Sequence, residues 1–337
     1  MRVALDCRSH LDNELLDFGR QLGCVDIVAG YPTVPPPMIH GHVEPLGYYD
    51  FLQLVHLKQR VEERGMRVAA IENVPYFWYD KVIRGQAGRD QQIENWMRTL
   101  RNMGRAGIPI LGYHFMAAGG TDTSREPVGR GGAMVRRVRY ALVDAPGKED
   151  NRLAWRDIGS IPQLTDDQMW ANITYFLKAV VPVAEEAGVK MALHPDDPPI
   201  SPVLGTACII RSHTALRRVV EEIAPSDHSG LEFCQGTISE MPDDVYEAIR
   251  YFGIRKKIFY VHFRNVSGKV PDFDETFVDD GYVDMWKAMR IYNDVGYNGV
   301  FIEDHVPAMT GDSPHGHRSR AFAMGYAKGL MRMTGAR

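Results

Sequence analysis

The segment FLKAVVPVAEEAGVKMALHPDDPP (residues 176–199) contains a helix followed by a strand, and this unit decides the fold. Apolar residues recur with helical spacing as far as Ala187, and Gly188 stands where a left-handed C-cap belongs. The run Val189–His194 has the short apolar character of a buried strand. Its last residue, His194, can bind a metal. This helix and strand give the pattern to look for in the rest of the chain.

Strand-like and helix-like segments alternate along the whole chain, with eight of each. The predicted strands are Arg2–Cys7, Val25–Ala29, Arg67–Glu72, Ile108–Phe115, Val189–His194, Gly230–Cys234, Ile258–Arg264 and Gly299–Asp304. The predicted helices are Asn13–Leu22, Tyr48–Arg64, Asp90–Ala106, Asp166–Ala187, His213–Ile223, Asp243–Phe252, Asp284–Val295 and Ser319–Met333. Strict alternation predicts an α/β fold with a parallel sheet and, by count, a (β/α)8 TIM barrel. We expect this barrel to span residues 1–337 as a single domain.

A long stretch, residues 116–164, interrupts the alternation between the fourth strand and its helix. It is rich in Gly and Arg, and MVRRVRYALV (134–143) could form a hairpin. An insertion after a barrel strand falls at the mouth where barrel enzymes carry their active sites. It could therefore be a lid or substrate-binding excursion, and a contact between subunits is an equal alternative.

Composition and charge exclude several classes of protein. The net charge of −4 provides no basic surface for nucleic acid and no polybasic patch for a membrane. No apolar stretch approaches the length of a membrane span, and the N-terminus lacks the apolar core of a signal peptide. The four cysteines are far apart, which argues against a disulfide framework and favours reduced thiols. These features together predict a cytoplasmic enzyme.

The last four predicted strands each end in or near a residue able to bind a metal. These residues are His194, Cys234, His262 and Asp304. The C-terminal ends of parallel barrel strands meet at one mouth, so the four side chains should converge. Two imidazoles, a thiolate and a carboxylate suit Mn, Fe or Zn better than Mg or Ca. Each residue alone has an ordinary structural explanation, but four equivalent positions together favour a metal site.

Other polar residues near the same strand ends are candidates for catalysis or substrate binding. Asp196 and Asp197 could orient a ligating imidazole or belong to a solvated turn. Arg264 has a guanidinium suited to a substrate carboxylate, and His305 could act as a general acid or base. The remaining candidates for substrate binding are Glu72, Tyr113, His114 and Arg318. Each of these has a structural alternative, as a packing residue or as part of a solvated loop.

The motifs of this chain resemble those of the mannonate dehydratases, barrels of the xylose-isomerase-like group. HPDDPP (194–199) is the specific motif. The other motifs are each of moderate specificity, but their occurrence in the family's order makes the resemblance strong. They are IENVP (71–75), FCQGT (233–237), VHFRN (261–265) and IEDH (302–305). The resemblance extends from about Val25 to the C-terminus.

This resemblance implies a metal-dependent carbon–oxygen lyase that removes water from a sugar acid and gives a 2-keto-3-deoxy acid. It implies Mn²⁺ or Fe²⁺ bound by the same four residues that end the strands. An ion chelated by the substrate carboxylate and 2-hydroxyl would acidify the C2 proton and stabilise an enediolate. His305 matches the family's base, and Arg264 and Asp196 complete the expected catalytic set. Because related barrels commonly self-associate, we also expect a homo-oligomer.

The chain departs from the family pattern at three substrate-facing places. Ala321 stands where the family has a catalytic Tyr, and Tyr326 lies further along the last helix. Ala117, Ala118 and the following GGTDTS replace an aromatic, Arg-containing segment, and residues 278–281 replace HLxG. The sequence therefore leaves alternatives open. These are a metal-dependent isomerase or epimerase, a lyase that β-eliminates from a keto-sugar or keto-glycoside, and a non-catalytic sugar-acid binding protein.

Overall fold

The computed structural model describes residues 1–9, 11–30, 46–72, 74–117, 122–143 and 162–335. Eight parallel strands close into a barrel. They are β1 (Arg2–Cys7), β2 (Asp26–Ala29), β3 (Arg67–Glu72), β4 (Ile110–Tyr113), β7 (Lys190–Leu193), β8 (Ser229–Cys234), β9 (Ile258–His262) and β12 (Val300–Ile302). Around the barrel their order is β1–β12–β9–β8–β7–β4–β3–β2. The predicted (β/α)8 fold is confirmed.

Helices surround the barrel and follow the predicted order. They are α1 (Asn13–Gln21), α2 (Phe51–Glu62), α3 (Asp80–Arg84), α4 (Arg89–Ala106), α5 (Asp166–Ala187), α6 (His213–Arg217), α7 (Gln235–Glu240), α8 (Val245–Ile254), α9 (Met285–Asp294) and α10 (His317–Met333). α6 continues as a π-helix over Arg218–Ile223. The short helices α3 and α7 were not predicted. Among the described residues no helix has the length and apolar character that crossing a membrane requires.

Local signals explain where the central helix begins and ends. The Thr165 side chain accepts from the backbone of Gln168, and the Gln168 side chain accepts from the backbone of Thr165, which completes a capping box at the start of α5. Gly188 ends the helix with a φ of 68°, in the left-handed region that glycine adopts at least cost. The predicted helix bounds are therefore confirmed here.

Alternation along the strands divides the core into two layers. Side chains that point outward pack against the helices; examples are Leu5, Ile71, Leu193, Val261 and Phe301. Side chains that point inward fill the barrel; examples are Ala4, Ala70, Ala192, Tyr260 and Ile302. Because successive side chains alternate, the residue two positions further along a strand again points inward, now nearer the mouth. This rule brings polar residues such as Asp6, Glu72, His194 and His262 to one place.

A second, antiparallel sheet lies beside the barrel, in the order β10–β11–β6–β5. Its strands are β5 (Ser124–Glu126), β6 (Val135–Arg139), β10 (Asn265–Val266) and β11 (Asp272–Thr276). The hairpin predicted within residues 134–143 is wrong, because this segment forms β6 followed by a 3₁₀ turn. Val138 packs on Phe273, and Arg137 Nε donates to Asp274 Oδ1 at 2.8 Å. Within the insertion β6 pairs with β5, and on its other edge β6 pairs with β11; residues 118–121 and 144–161 of it lie outside the described residues.

Candidate metal centre

The strand ends bring the predicted ligands together at the barrel mouth. Single ligand atoms of His194, Cys234 and His262 all lie within 4.8 Å of one another. Asp304 joins them: its Oδ1 is 3.4 Å from His262 Nδ1, and its Oδ2 is 3.8 Å from Cys234 Sγ. All four side chains are buried. Two imidazoles, a thiol and a carboxylate therefore share one enclosed position.

The backbone of two of these residues is specialised. Asp304 adopts a φ of 60°, a left-handed conformation that Asp tolerates better than most residues. Cys234 is the N-cap of α7, and its Sγ accepts from the Thr237 hydroxyl at 3.1 Å and from the Thr237 amide at 3.5 Å. Burial opposes ionisation of Cys234, but Arg264 and His194 lower the pKa of the thiol well below its ordinary value. The thiolate is the form that binds a metal.

His262 lies between carboxylates on both sides of its ring. Its Nε2 is 2.9 Å from Glu72 Oε2 and 3.1 Å from Glu232 Oε1, while its buried Nδ1 has no hydrogen-bond partner. The two glutamates thus leave Nδ1 available on the side of Asp304 and Cys234. Burial disfavours the imidazolium, but Asp304 and the glutamates raise the pKa of His262 well above its usual range. The position therefore favours a positive charge.

His194 is oriented by the backbone that follows it. Its Nδ1 lies 2.6 Å from the Pro195 carbonyl, which leaves Nε2 for a ligand. Burial opposes protonation of His194, but Cys234 raises its pKa to about 9. The His114 ring packs beside it, with ring centroids 4.6 Å apart, and burial lowers the pKa of His114 well below its usual range. His114 is therefore a neutral neighbour of the cluster.

The residues present fit a divalent transition metal. The donor set of imidazole, thiolate, imidazole and carboxylate is the combination that Mn, Fe or Zn accepts more readily than Mg or Ca. The unpartnered Nδ1 of His262 and the depressed pKa of Cys234 are what such a site requires before an ion binds. The mouth of the barrel thus offers a divalent metal site.

Arg264 is the central cation of the mouth, and its observed role differs from the predicted one. Its guanidinium is buried and donates to Asp304 Oδ2 at 2.9 Å and to Glu240 Oε1 and Asp197 Oδ2 at 2.8 Å each. These bonds occupy the donors that we expected to bind a substrate carboxylate. A Cβ at Gly236 would lie 2.4 Å from Arg264 Cγ, so only glycine admits the arginine here. Arg264 balances buried negative charge.

The residues at the mouth that sequence reasoning missed include Arg8, Glu232 and Tyr260. Arg8, directly after β1, donates to Asp6 Oδ1 at 2.9 Å, to Asp304 Oδ1 at 2.7 Å and to Glu72. Glu232 and Tyr260 lie one layer deeper, where Tyr260 Oη donates to Glu232. Each of the deeper two precedes a predicted ligand by two positions, so strand alternation could have found them. Arg8 could have been found as the residue that follows the first strand.

Two predicted substrate-binding residues have contacts of other kinds. Tyr113 points outward and packs on Trp96 and Phe176, with ring centroids 5.8 and 6.0 Å apart. The reason is strand alternation, which sends adjacent His114 inward and Tyr113 outward. Arg318 is exposed on α10 and donates to the Thr310 carbonyl at 2.9 Å. Tyr113 therefore faces the helices and not the four predicted ligands, whereas substrate binding by Arg318 stays a prediction.

The two aspartates of HPDDPP have different partners from those expected. Asp196 is fully buried and accepts from the Ile210 amide at 2.7 Å, and burial raises its pKa to about 7. Asp197 accepts from Arg264, and burial raises its pKa to about 6 against the opposing effect of that arginine. Asp196 therefore fixes the loop at residue 210. The alternative of a solvated turn is wrong, because residues 194–199 are all buried.

His305 lies at the rim of the same site. Its Nδ1 is 2.9 Å from Glu275 Oε1, and its Nε2 is 3.5 Å from Asp304 Oδ1. About 15% of its side chain is exposed, which makes it more accessible than the four ligands. The structure thus places a potential acid or base next to the candidate metal position.

Comparison with solved structures defines the class of protein. A xylose isomerase domain protein from Planctomyces limnophilus matches with a TM-score of 0.60 at 10% identity, covering 99% of this chain and 98% of that one. This likeness shows the fold alone. Fold and site together therefore define a TIM barrel with a candidate divalent metal centre at its mouth.

Closer matches identify the family. The model of the D-mannonate dehydratase (UxuA) family matches residues 20–336. A mannonate dehydratase from Streptococcus pneumoniae (strain 70585) is 32% identical over an alignment of 299 residues, which covers 82% of this chain and 81% of that protein. The crystal structure of mannonate dehydratase from Streptococcus suis serotype 2 matches with a TM-score of 0.83 at 29% identity, covering 99% and 96% of the two chains. The chain belongs to the D-mannonate dehydratase family, and is thus a hydro-lyase.

Proposed function

We propose that this protein is a metal-dependent dehydratase that converts D-mannonate, or a closely similar sugar acid, into a 2-keto-3-deoxy acid. The observation that carries the proposal is the convergence of His194, Cys234 and His262 within 4.8 Å, with Asp304 beside them. Membership of the family supports the reaction class. The proposed ligands are these four residues, and the proposed ion is Mn²⁺ or Fe²⁺.

The bound ion and His305 would have different roles in the proposed reaction. A bound divalent ion would supply a Lewis acid that acidifies the carbon next to the substrate carboxylate and offsets the developing negative charge. His305 is proposed as the base that takes the C2 proton, leaving an enediolate, and as the acid that protonates the departing 3-hydroxyl. Loss of water then gives the enol of the 2-keto-3-deoxy acid, which takes up a proton at C3.

Carboxylates and arginines around the proposed ligands would hold these ligands in position. Glu72 and Glu232 hold the Nε2 side of His262, so that Nδ1 faces the ion position. Arg8 and Arg264 both donate to Asp304, which fixes its carboxylate from two sides. Arg264 already donates to three carboxylates and to Thr237. A bound ion, and not this arginine, would therefore hold the substrate through its carboxylate and 2-hydroxyl.

The test is turnover of D-mannonate by protein loaded anaerobically with Mn²⁺, with the metal stoichiometry measured on the same sample. We expect formation of the 2-keto-3-deoxy acid, loss of activity with a chelator and recovery on addition of Mn²⁺. Full metal occupancy with no turnover of D-mannonate, but turnover of another aldonate, would overturn the substrate. Full occupancy with no dehydration of any aldonate would overturn the reaction.

A further inference from the structure

We infer that Glu275 is a positioning residue that holds His305 in the tautomer with its proton on Nδ1 and a free Nε2 directed towards the metal position. The inference rests on the proposed function, in which His305 moves protons to and from the substrate. It assigns a role to the second sheet and to the arginine-rich insertion, neither of which the proposed reaction uses directly.

The geometry of the pair carries the argument. Glu275 Oε1 lies 2.9 Å from His305 Nδ1, and the Glu275 side chain is buried. An ionised carboxylate only accepts hydrogen bonds, so the hydrogen must be on Nδ1, and the neutral ring then carries its lone pair on Nε2. That Nε2 is 3.5 Å from Asp304 Oδ1, on the side of the candidate ligands. The base therefore faces the site where the reaction is proposed.

The charge around Glu275 keeps it an acceptor. Burial opposes its ionisation, but His305 and Arg264 lower its pKa to about 2. Arg264 Nη1 is 3.8 Å from Glu275 Oε1, and Arg136 Nε is 3.9 Å from Glu275 Oε2. Two guanidinium groups thus flank the carboxylate and leave its Oε1 directed at the imidazole.

The second sheet delivers Glu275 to this position. Glu275 belongs to β11, and its neighbour Asp274 accepts from Arg137 Nε at 2.8 Å and from Arg139 Nη2. On the same face of β11 as Glu275, Phe273 packs on Val138 and Val266. The strand β6 of the insertion therefore fixes the register of β11, and through it the position of the Glu275 carboxylate.

A second cation site is the competing explanation for this cluster. Ligand atoms of Asp197, Glu275 and His305 lie within 4.8 Å of one another. However, Arg264 Nη2 is 2.8 Å from Asp197 Oδ2, so a fixed positive charge already neutralises the carboxylates. The Nδ1 of His305 is also already bonded to Glu275. Orientation of His305 therefore accounts for the cluster better than a second ion.

The kinetic test uses Glu275→Ala and Glu275→Gln in the Mn²⁺-loaded protein. With the wrong tautomer populated, we expect kcat of Glu275→Ala to fall by about 100-fold or more, within the range that a misoriented or lost acid–base group costs. KM and metal stoichiometry should stay within about twofold, because Glu275 contacts no proposed ligand. Glu275→Gln, whose amide oxygen can still accept from Nδ1, should retain an intermediate kcat.

Asp272→Ala is the matched control, because Asp272 is exposed on the same strand and accepts from the Tyr140 amide. It should keep the wild-type kcat. Equal losses of kcat in Glu275→Ala and Asp272→Ala would assign the effect to the strand as a whole and overturn the inference. Unchanged kcat in Glu275→Ala would overturn it as well.

A readout independent of turnover separates this inference from the proposed function. In ¹⁵N-histidine-labelled, metal-free protein at pH 8, the His305 signals can be identified by their loss in His305→Asn. We expect the shifts of the Nδ1-protonated tautomer in the wild type and a change towards the Nε2-protonated form in Glu275→Ala. An Nε2-protonated His305 in the wild type would overturn the inference, even if the protein dehydrates D-mannonate. The expected tautomer would support it even if D-mannonate is not the substrate.

Discussion

The guanidinium of Arg264 donates to three buried carboxylates and to the Thr237 hydroxyl. The sequence indicated that this arginine would reach the mouth, and it does. What the sequence could not indicate is that Glu240 and Asp197, from separate segments, would occupy its donors. Those partners meet only after the barrel closes, so a pattern of strand ends predicts the place of a residue better than its bonds.

Replacing Arg264 should lower the free energy of unfolding. In Arg264→Met the side chain keeps a similar length, but Asp304, Glu240 and Asp197 lose their common cation. We expect a loss of about 3–5 kcal/mol in the free energy of unfolding, as for other broken buried ion pairs. Urea unfolding of the metal-free protein measures it. Arg250→Met, which removes an exposed pair with Glu247, should cost at most about 1 kcal/mol; equal losses in the two variants would contradict the account.

Replacement of Cys234 tests its proposed role as a metal ligand. Cys234→Ser replaces the thiolate by a hydroxyl, which is a poor ligand at neutral pH, so the variant should lose most of its bound Mn²⁺ or Fe²⁺. Elemental analysis of dialysed protein measures the ion, and circular dichroism should show an intact fold. Cys24→Ser is the control, because Cys24 is buried in the core against the helices and should leave the metal content unchanged. Full stoichiometric metal in Cys234→Ser would exclude the thiol as a ligand.

At the level of whole elements, periodicity predicted the barrel and missed the second sheet. Each barrel strand and its helix has its own apolar pattern and its own caps, such as Thr165 and Gly188, so each can be recognised locally. The strand β6 lacks such a local signal, because one of its two partners, β11, lies far along the chain: Arg137 bonds to Asp274, 137 residues later. Its other partner, β5, has only 3 residues. The segment 134–143 was therefore interpreted as a complete hairpin, although it contributes a single strand to the sheet.

One glycine within a barrel strand tests the packing of the interior. A Cβ at Gly112 of β4 would lie 2.1 Å from Tyr260 Oη and 2.5 Å from Glu232 Oε2. Gly112→Ala should therefore displace this buried pair and lower the free energy of unfolding by about 1–3 kcal/mol. Gly325→Ala is the control: Gly325 is exposed in α10, has no atom within 4 Å of an added Cβ and should gain about 0.5–1 kcal/mol. Chemical denaturation of both variants measures these free energies. An unchanged free energy of unfolding in Gly112→Ala would contradict the close packing described around Gly112.

On the scale of the whole molecule, two kinds of interaction hold the barrel together. The layer between strands and helices is apolar and extends around the sheet, whereas the mouth is a dense set of buried charges. The apolar layer contributes stability without any ion, since burial of this extent is ample for a chain of 337 residues. An ion at His194, Cys234, His262 and Asp304 would join the ends of four strands that are already paired with their neighbours.

Removal of the metal should therefore lower the thermal stability of the protein without unfolding it. We expect chelator-treated protein to keep its far-ultraviolet circular dichroism and to unfold at a Tm several degrees lower, because an ion at 100 times its Kd stabilises the native state by about 2.7 kcal/mol. Added Mn²⁺ should restore Tm in a concentration-dependent manner, and the same concentration of Mg²⁺ should do so only weakly, since thiolate and imidazole are poor ligands for it. In Cys234→Ser the response to Mn²⁺ should be largely lost. Unfolding on chelation would show instead that the barrel depends on its ion to fold, and an equal response to Mg²⁺ would contradict the proposed ligand set.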